Sequence, residues 1–258
     1  MTLSVDLNAD LGESFGPWPM GNDEALLEVI SSANVACGVH AGDWDVMART
    51  MAQAVRNGVG IGAHPGFPDL QGFGRREMQM PLASAANLVR WQLGAAQAMA
   101  RAAEGGVRHL KLHGALANMA AGDEALAAAC FEGALSVAPD LILVVLAGTA
   151  QQEAARKLGA RVACEIFADR AYNPDATLVD RRLPGAVIHD PAQAAERMLR
   201  MVGAGAILPD EGDPIPTRID TICLHGDTPG AVEIARAVRR ALAGAGVAIA
   251  RFEGVPLG

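Results

Sequence analysis

The stretch HLKLHG, residues 109–114, is the clearest indication of how this chain folds. His109, Lys111 and His113 alternate with Leu110 and Leu112, and alternate residues of a β-strand point to opposite faces. One face of the strand is therefore polar and the other apolar. Because an Ala-rich stretch with helical spacing follows, the segment is typical of a strand whose apolar face packs against helices.

Similar short apolar runs recur along the chain, and longer stretches with helical spacing follow them. The runs are Leu3–Leu7, Ala33–Cys37, Val59–Ala63, Val107–Leu112, Leu141–Ala147, Arg161–Phe167 and Ile219–Leu224, with a weaker candidate at Val247–Arg251. This alternation of strand and helix predicts an α/β fold built on a parallel sheet.

Length and composition limit the class of protein. The chain has 258 residues, of which 51% are hydrophobic and 19% charged, so it has enough apolar residues for a sizeable core and does not resemble a disordered chain. Its net charge of −8 and the lack of a Lys/Arg run argue against a nucleic-acid or anionic-membrane partner. No repeat, linker or shift in composition divides the sequence, which predicts a single domain over residues 1–258.

Three further features predict a cytoplasmic protein with reduced thiols. The first residues, MTLSVDLNAD, lack the basic region and apolar stretch of a secretory signal. The longest apolar run, Leu141–Ala147, is far shorter than the roughly 20 residues that cross a bilayer. The 4 cysteines form no CxxC pair, so we expect most of them to be inert buried thiols.

Polar side chains cluster late in the predicted strands. In LSVDLNADLGE, residues 3–13, Asp6, Asn8 and Asp10 share one face while Val5 and Leu7 take the other. Later strands contribute further polar groups in the same way: His40, His64, Lys111, His113, Glu165, Asp169, Thr221, Cys223 and His225. Barrel proteins and open α/β sheets build their active sites at the carboxyl ends of strands, so we expect one shared polar site there.

Common phosphate-binding and nucleophile motifs are missing from the sequence. It contains no GxxxxGK(S/T) loop and no GxSxG elbow. Asp10, His40 and His64 offer three ligands for a divalent metal, but no HxxxH or HxH pair places two ligands on one element. The sequence therefore predicts no tightly bound metal, and a metal-dependent hydrolase stays open as an alternative.

Three long connections stand out at residues 66–81, 169–185 and 208–218. Connections of this length in a compact fold are often lids or binding loops. The first, GFPDLQGFGRREMQMP, combines glycines and aromatic residues with Arg75 and Arg76. Asp69 and Glu77 in the same loop are expected to face solvent.

Long blocks of unusual polar composition make the sequence similar to the LamB/YcsF family. The blocks are DLNADLGESFG (6–16), ANVACGVHAGD (33–43), IGAHPGFPDLQGFGRR (61–76), LKLHGAL (110–116), EIFADRAY (165–172) and ICLHGDTPGAV (222–232). They span nearly the whole chain in the family's order. The chain departs from the family pattern at Val39, Trp44, Leu112 and Ala117, none of which replaces a polar candidate.

The resemblance implies a seven-stranded β/α barrel, a distorted TIM-like fold related to glycoside hydrolase and deacetylase barrels. It also implies hydrolysis of 5-oxoproline to glutamate coupled to ATP hydrolysis, with ATP as co-substrate, Mg²⁺ accompanying it, and partner subunits B and C of a 5-oxoprolinase.

Such a reaction needs a base for water, a cation for developing charge and a clamp for the substrate carboxylate. We assign Asp10 or Glu13 as the base, His64 and His113 as proton carriers, and Lys111 as the cation. Binding of substrate or nucleotide is assigned to the remaining polar residues of the shared blocks: Asn8, His40, Asp43, Arg75, Arg76, Glu165, Asp169, Arg170, His225 and Asp227.

Some assignments stay open at this point. His109 falls outside the shared blocks and is treated as structural. Glu165 and Arg170 form either a structural ion pair or a substrate contact. The alternative functions are a stand-alone metal-dependent hydrolase of an amide or acylated sugar, and a non-catalytic subunit that holds substrate for its partners.

Overall fold

Strands and helices alternate along the chain in the computed structural model, which describes residues 3–226 and 230–257. The strands are β1 (Ser4–Leu11), β2 (Ser32–Ala36), β3 (Gly60–His64), β4 (Val107–Lys111), β5 (Ile142–Leu146), β6 (Arg161–Phe167), β7 (Ala206–Ile207), β8 (Ile215–Pro216), β9 (Thr221–His225) and β10 (Ala248–Ile249). The helices are α1 (Asp23–Leu27), α2 (Trp44–Arg56), α3 (Leu82–Ala102), α4 (Gly114–Gly122), α5 (Glu124–Leu135), α6 (Ala150–Lys157), α7 (Pro191–Ala204) and α8 (Ala231–Gly244).

Seven of these strands close into a parallel barrel. The order is β1-β2-β3-β4-β5-β6-β9, and β9 pairs back with β1, placing Cys223 beside Asn8 and His225 beside Asp10. The prediction of a seven-stranded β/α barrel is therefore confirmed. The weak run at 247–251 forms only the short strand β10, which pairs with the start of β1 through Ser4 and Ala248.

The main apolar core lies between the barrel and its helices. Val5, Leu7, Ala9 and Leu11 of β1 are all buried and alternate with the polar residues of the strand. β1 thus places its apolar residues outward, where burying a large aliphatic side chain contributes about 1.5–3 kcal/mol.

Helix starts and ends follow the sequence signals near this core. The Asp43 carboxylate accepts hydrogen bonds from the backbone N–H groups of Asp45 and Val46, which satisfies the first turn of α2. Asp190 caps α7 in the same way before Pro191, and α7 ends at Gly205, whose φ of 60° suits a glycine.

A small apolar plug fills the barrel at the amino ends of its strands. Ile142, Val144, Ala163 and Phe252 form this plug, and the ring of His109 lies edge-on to Phe252 at 5.1 Å. The plug fills only part of this level of the barrel, since His109 lies in register with Ile142, whereas the polar side chains of the mouth lie closer to the carboxyl ends of the strands.

Within residues 3–226 and 230–257, the helices are either too short or too polar to cross a membrane.

Candidate active site

The barrel mouth holds two adjoining groups of buried polar side chains. The first, which we call the lysine network, consists of Asn8, Asp10, Lys111, Glu165 and Cys223. The second, which we call the histidine cluster, consists of Glu13, His40, His64 and His113. Every member of both groups is at most 6% exposed, so their electrostatic interactions act with little solvent screening.

Lys111 lies at the centre of the lysine network. Its Nζ donates to Oδ1 of Asp10 at 3.0 Å and to Sγ of Cys223 at 2.9 Å, and lies 2.9 Å from Oε1 of Glu165. Burial alone would lower the pKa of Lys111, but the Asp10 and Glu165 carboxylates raise it well above its usual range. Lys111 is therefore a buried ammonium held between two carboxylates.

The two carboxylates differ in their protonation. Burial acts to raise the pKa of Asp10, but His64 and Lys111 outweigh it and hold that pKa well below its usual range. For Glu165, burial raises the pKa and Lys111 offsets only part of the effect. Asp10 is thus the group that stays ionised, and Glu165 the one that more readily holds a proton, a difference suited to acid–base chemistry.

Amide side chains fix the positions of these carboxylates. Nδ2 of Asn34 donates to Oδ1 of Asn8 at 2.7 Å and to Oδ1 of Asp10 at 2.9 Å. Nδ2 of Asn8 donates to Oε1 of Glu165 at 3.0 Å and to the hydroxyl of Thr221 at 2.7 Å. The sequence-based site does not include Asn34, although its position on the same face of β2 as Ser32 is a signal that strand alternation provides.

The histidine cluster joins the lysine network through His64. Nε2 of His64 lies 3.3 Å from Oδ2 of Asp10 and 3.0 Å from Nδ1 of His113. The rings of His40 and His113 stack at 3.7 Å between centroids, nearly parallel. Oε1 of Glu13 lies 3.5 Å from Nε2 of His40 and 3.8 Å from Nδ1 of His113.

Backbone carbonyls bind the outer nitrogens of two of these rings. Nδ1 of His64 lies 2.8 Å from the carbonyl oxygen of Lys111, and Nε2 of His113 lies 2.8 Å from that of Phe73. Burial lowers the pKa of both His40 and His113 well below the usual value, with neighbouring imidazoles adding to the effect. These two rings are therefore neutral near pH 7.

The loop of residues 66–81 covers the histidine cluster closely. The Phe73 ring lies edge-on to His40 at 5.8 Å and to His113 at 5.3 Å. Gly74 has φ of 63°, and a Cβ there would lie 2.7 Å from Cβ of His40 and 2.8 Å from Cδ2 of His113. Only glycine lets the loop approach the imidazoles this closely.

A further pair lies at the edge of the mouth. Nδ1 of His225 lies 2.8 Å from Oδ2 of Asp169, and its ring stacks on Phe167 at 5.3 Å. Arg170 donates to the carbonyl oxygens of Val179 and Ala186, while Glu165 binds Lys111 and Asn8. The alternative of an ion pair between Glu165 and Arg170 is therefore wrong.

Other assigned residues lie away from the two groups or at their edge. Asp43 is the cap of α2 and also accepts from the backbone N–H of Gly16 at 2.7 Å. The Arg75 guanidinium lies 4.7 Å from the Phe73 ring centre, within the loop that covers the histidines. Asp227 lies outside the described residues.

Arg76 pairs within its own loop, because its Nε donates to Oδ1 of Asp69 at 2.8 Å. Asp69 is buried, so the expectation that it faces solvent is wrong: the N–H groups of Gly72 and Arg76 and the Arg76 guanidinium replace water around its carboxylate. Glu77 is exposed as expected. His109 lies deeper, with Nε2 at 3.0 Å from Oδ1 of Asn34.

The fold is a closed parallel barrel, and carboxylates, an ammonium and imidazoles are buried at the carboxyl ends of its strands. The chain is therefore a β/α-barrel protein with an enzyme-like site. Comparison with known proteins gives the particular family. The chain belongs to the LamB/YcsF family, whose sequence model matches residues 5–256.

Individual relatives agree with this assignment. A protein of Ruegeria pomeroyi, named as the A subunit of 5-oxoprolinase, is 66% identical over 249 residues, covering 96% of this chain and 98% of the relative. The crystal structure of a lactam utilization protein from Thermus thermophilus superposes with a TM-score of 0.91 at 44% identity, covering 97% of this chain and 100% of that one.

The expected kinship with deacetylase barrels is seen at the level of fold. The catalytic domain of a peptidoglycan N-acetylglucosamine deacetylase from Eubacterium rectale matches with a TM-score of 0.53 at 9% identity, covering 100% of this chain and 92% of that one. At this identity the likeness concerns the fold alone.

Proposed function

We propose that this chain is the A subunit of an ATP-dependent 5-oxoprolinase, which hydrolyses the lactam of 5-oxo-L-proline to L-glutamate while ATP is hydrolysed to ADP and phosphate. The observation that carries the proposal is the burial of Asp10, Lys111, Glu165 and the histidine cluster in one site. High identity to a relative that bears the 5-oxoprolinase name supports the choice of substrate. Because that relative is named as one subunit of an enzyme, its name also supports partner subunits, which we propose to be subunits B and C.

The chemistry of a lactam explains why ATP is needed. A five-membered lactam is a stable amide, and its ring closes readily because the amine is held near the acyl carbon. When the lactam oxygen bonds to the γ-phosphorus, ADP leaves and the ring carbon becomes activated. Water then adds to that carbon and loses a proton to a base, and the C–N bond breaks as the nitrogen is protonated. A second water hydrolyses the resulting acyl phosphate to glutamate and phosphate.

The described side chains fit the groups that these steps require. Asp10, held ionised, or Glu13 accepts the proton from water, and Lys111 stabilises the charge on phosphate or oxyanion. Glu165, whose pKa burial raises, is placed to return a proton to the leaving nitrogen. Arg75 at the edge of the covering loop is a candidate clamp for a carboxylate or phosphate.

Access to this site involves the loop of residues 66–81. The histidines and carboxylates are buried beneath Phe73, so the lactam reaches them only when this loop moves aside. Closure afterwards excludes bulk water and strengthens each charge interaction.

Replacement of Asp10 by Asn tests the proposal. We expect Asp10→Asn, in the complex reconstituted with subunits B and C, to lower glutamate formation at least about 100-fold, because general acid–base groups contribute about 10²–10⁴-fold. Coupled assays of glutamate and ADP measure the effect. Asp190→Asn is the matched control, since asparagine caps α7 as well as aspartate and turnover should not change.

The same assay separates the alternative functions. Circular dichroism and thermal unfolding must show that the Asp10→Asn chain is folded. Unchanged turnover in a folded variant would remove Asp10 from the mechanism and favour a chain that only holds substrate. Lactam hydrolysis by the isolated chain without ATP would instead favour the stand-alone hydrolase.

A further inference from the structure

His225 differs from the other histidines of the barrel mouth because one of its ring nitrogens is neither bonded nor enclosed. The nitrogens of His64 and His113 face backbone carbonyl oxygens or each other, and both nitrogens of His40 are fully enclosed. Nε2 of His225 has no hydrogen-bond partner in the part of the chain that the structure describes, and it is not fully enclosed. The side chain is 11% exposed, so Nε2 is open to a molecule that enters the mouth.

The other nitrogen of this ring is held by a buried carboxylate. Nδ1 of His225 lies 2.9 Å from Oδ1 and 2.8 Å from Oδ2 of Asp169. Burial acts to raise the pKa of Asp169, but His225 and Arg170 outweigh it and lower that pKa, so the carboxylate is ionised. A carboxylate only accepts hydrogen bonds, so Nδ1 carries the hydrogen and Nε2 of the neutral ring carries a lone pair.

Adjacent strands fix the position of this histidine–aspartate pair. Asp169 follows β6 and His225 ends β9, and these two strands are hydrogen-bonded neighbours. The His225 ring also stacks on Phe167 at 5.3 Å, which fixes the plane of the imidazole. An imidazole that is oriented by a carboxylate and has its second nitrogen open is the arrangement of a general base.

The pair borders the lysine network. His225 lies in register with Asp10 across the pairing of β9 with β1. A ring nitrogen of His225, a carboxylate oxygen of Asp10 and Sγ of Cys223 lie within 4.8 Å of one another. A lactam whose carbonyl carbon lies beside Asp10 would therefore have its nitrogen, one bond away, within reach of His225.

We propose that His225 is the base that removes the N–H proton of the lactam when the lactam oxygen bonds to the γ-phosphorus, and that Asp169 is its positioning residue. This inference rests on the proposed function and adds a group for a proton that the water base does not take. Without a base, bond formation at the lactam oxygen would leave a positive charge on the ring nitrogen. A base that accepts this proton as the charge develops lowers the barrier.

The electron pairs and protons of this step balance. The N–H electron pair forms the C=N bond, the C=O π pair forms the O–P bond, and ADP leaves with the electrons of the broken P–O bond. Nε2 of His225 holds the proton meanwhile. Glu165 protonates the nitrogen when water adds to the ring carbon, and His225 returns its proton when the C–N bond breaks, so His225 ends neutral.

Neighbouring groups are less suited to accept the lactam proton. Lys111 is already a cation, and burial raises the pKa of Glu165, which makes this carboxyl group a proton donor. Oδ1 of Asp10 accepts hydrogen bonds from Lys111 and Asn34, and its Oδ2 faces His64. His225 is thus the one imidazole of the mouth, within the described residues, with a lone pair open to substrate.

Magnetic resonance of the isolated chain tests the pair without lactam or ATP. With isotope-labelled imidazole nitrogens, we expect the neutral ring of His225 to carry its hydrogen on Nδ1. In Asp169→Asn the amide can donate to Nδ1, so the hydrogen should move to Nε2. Asp190→Asn, the surface control, should leave the tautomer of His225 unchanged.

Turnover of the reconstituted complex tests the catalytic role. We expect His225→Ala to lower kcat for glutamate formation at least about 100-fold, the usual contribution of a general base. Free imidazole should enter the vacated position and raise the turnover of this variant at least about tenfold, because it replaces the lost base. His189→Ala, on the exposed surface, should turn over normally with or without imidazole.

Asp169→Asn keeps the side-chain size and stays informative if His225→Ala does not fold. We expect it to lower kcat by at least about tenfold with little change in KM, because the wrong tautomer removes the open lone pair while substrate contacts remain. A purely structural role of Asp169 would instead lower stability without moving the hydrogen to Nε2.

Three results would overturn the proposal. The first is a neutral His225 ring with its hydrogen on Nε2 in the unmodified chain. The second is unchanged turnover in folded His225→Ala, and the third is reduced turnover that imidazole does not restore. Absence of glutamate formation by the unmodified complex would instead refute the proposed function, and with it the lactam role, while the tautomer measured in the isolated chain would still show whether Asp169 orients the ring.

Discussion

Lys111 keeps its charge inside the barrel because Asp10 and Glu165 face it. We expect Lys111→Met to lower the free energy of unfolding by about 3–5 kcal/mol, because removing one partner leaves buried carboxylates without compensation. Chemical denaturation at pH 7 measures the loss. In the reconstituted complex the same change should also reduce turnover by at least tenfold.

An exposed lysine provides the control for Lys111. Lys157 pairs with Glu124 on the surface, where solvent screens the interaction, so Lys157→Met should leave stability nearly unchanged. Equal stability of the two lysine variants would show that Lys111 is not held as a buried ion pair. A change in turnover below threefold for Lys111→Met would assign the residue to structure alone.

The buried carboxyl group of Asp6 makes the stability of the protein depend on pH. Its carboxylate accepts hydrogen bonds from Ser31, Ser32 and Thr221, yet burial outweighs them and raises its pKa from 3.8 to about 6. Between these two values the folded chain binds more protons than the unfolded chain, so the contribution of Asp6 to stability falls as pH rises and is lost above about pH 6. The contribution of Asp6 to the free energy of unfolding therefore falls by about 3 kcal/mol over this pH range, at about 1.4 kcal/mol per unit of pKa shift.

Asp6→Asn isolates this effect. The difference in unfolding free energy between the unmodified chain and the variant should change most from pH 4 to 6 and become constant at higher pH, with the variant relatively more stable at pH 7. Urea titrations across this range measure it. A difference that does not vary with pH would contradict the raised pKa.

At the scale of elements, β3 depends on a glycine that faces a buried ring. A Cβ at Gly62 would overlap the imidazole of His109, which Asn34 and Phe252 hold in place inside the barrel. We expect Gly62→Ala to destabilise the protein by roughly 1–3 kcal/mol, the usual cost of overpacking a core. Thermal and urea unfolding measure the change.

Gly94 is the matched control within a helix. It lies in α3, and a Cβ there has no neighbour within 4 Å among the described residues. Gly94→Ala should therefore stabilise the protein by about 0.5–1 kcal/mol, since glycine is costly in helix interiors. If both alanine variants were equally stable, the barrel interior would be looser than this packing implies.

Strand alternation predicts most of the elements and the inward faces of β1, β4 and β9, because a period of two is a local property of the chain. Partners across the barrel are not local. Cys223 is buried, as the scattered cysteines predict, but its contact with Lys111 depends on how the barrel closes. The same reason explains why the sequence does not reveal the roles of Asn34 and Asp69, since only the folded chain supplies their partners.

At the scale of the whole molecule, an apolar rim surrounds part of the barrel mouth. Phe15, Trp18 and Met20 follow β1, Trp44 follows β2, and all of them are exposed. The Trp18 ring stacks on Phe15 at 6.4 Å. Exposed apolar groups beside a buried site are typical of a binding surface, and we expect one of the proposed partner subunits to cover this rim.

Replacing Trp18 tests that expectation. Trp18→Ala should weaken binding of the chain to the proposed subunits B and C by about tenfold or more, because interface tryptophans often dominate binding energy. Calorimetry or biolayer interferometry measures the affinity. Trp91→Ala is the control, since Trp91 on α3 is as exposed, 65% against 67%, but lies on the helical wall. Equal affinities of the two variants would place the partners elsewhere.

The pairing of β1 with β9 joins two segments that are made at very different times during synthesis. Residues 6–10 emerge from the ribosome early, but their hydrogen-bonded neighbours at 221–225 emerge only when most of the chain has been made. Contacts between such distant segments are slow to form, and until they do, the unpaired edges of β1 and β6 are exposed to aggregation. The contacts that β9 makes in the polar mouth, such as that of Cys223 with Lys111, are therefore among the last to form, and a translation product that stops before β9 would lack them.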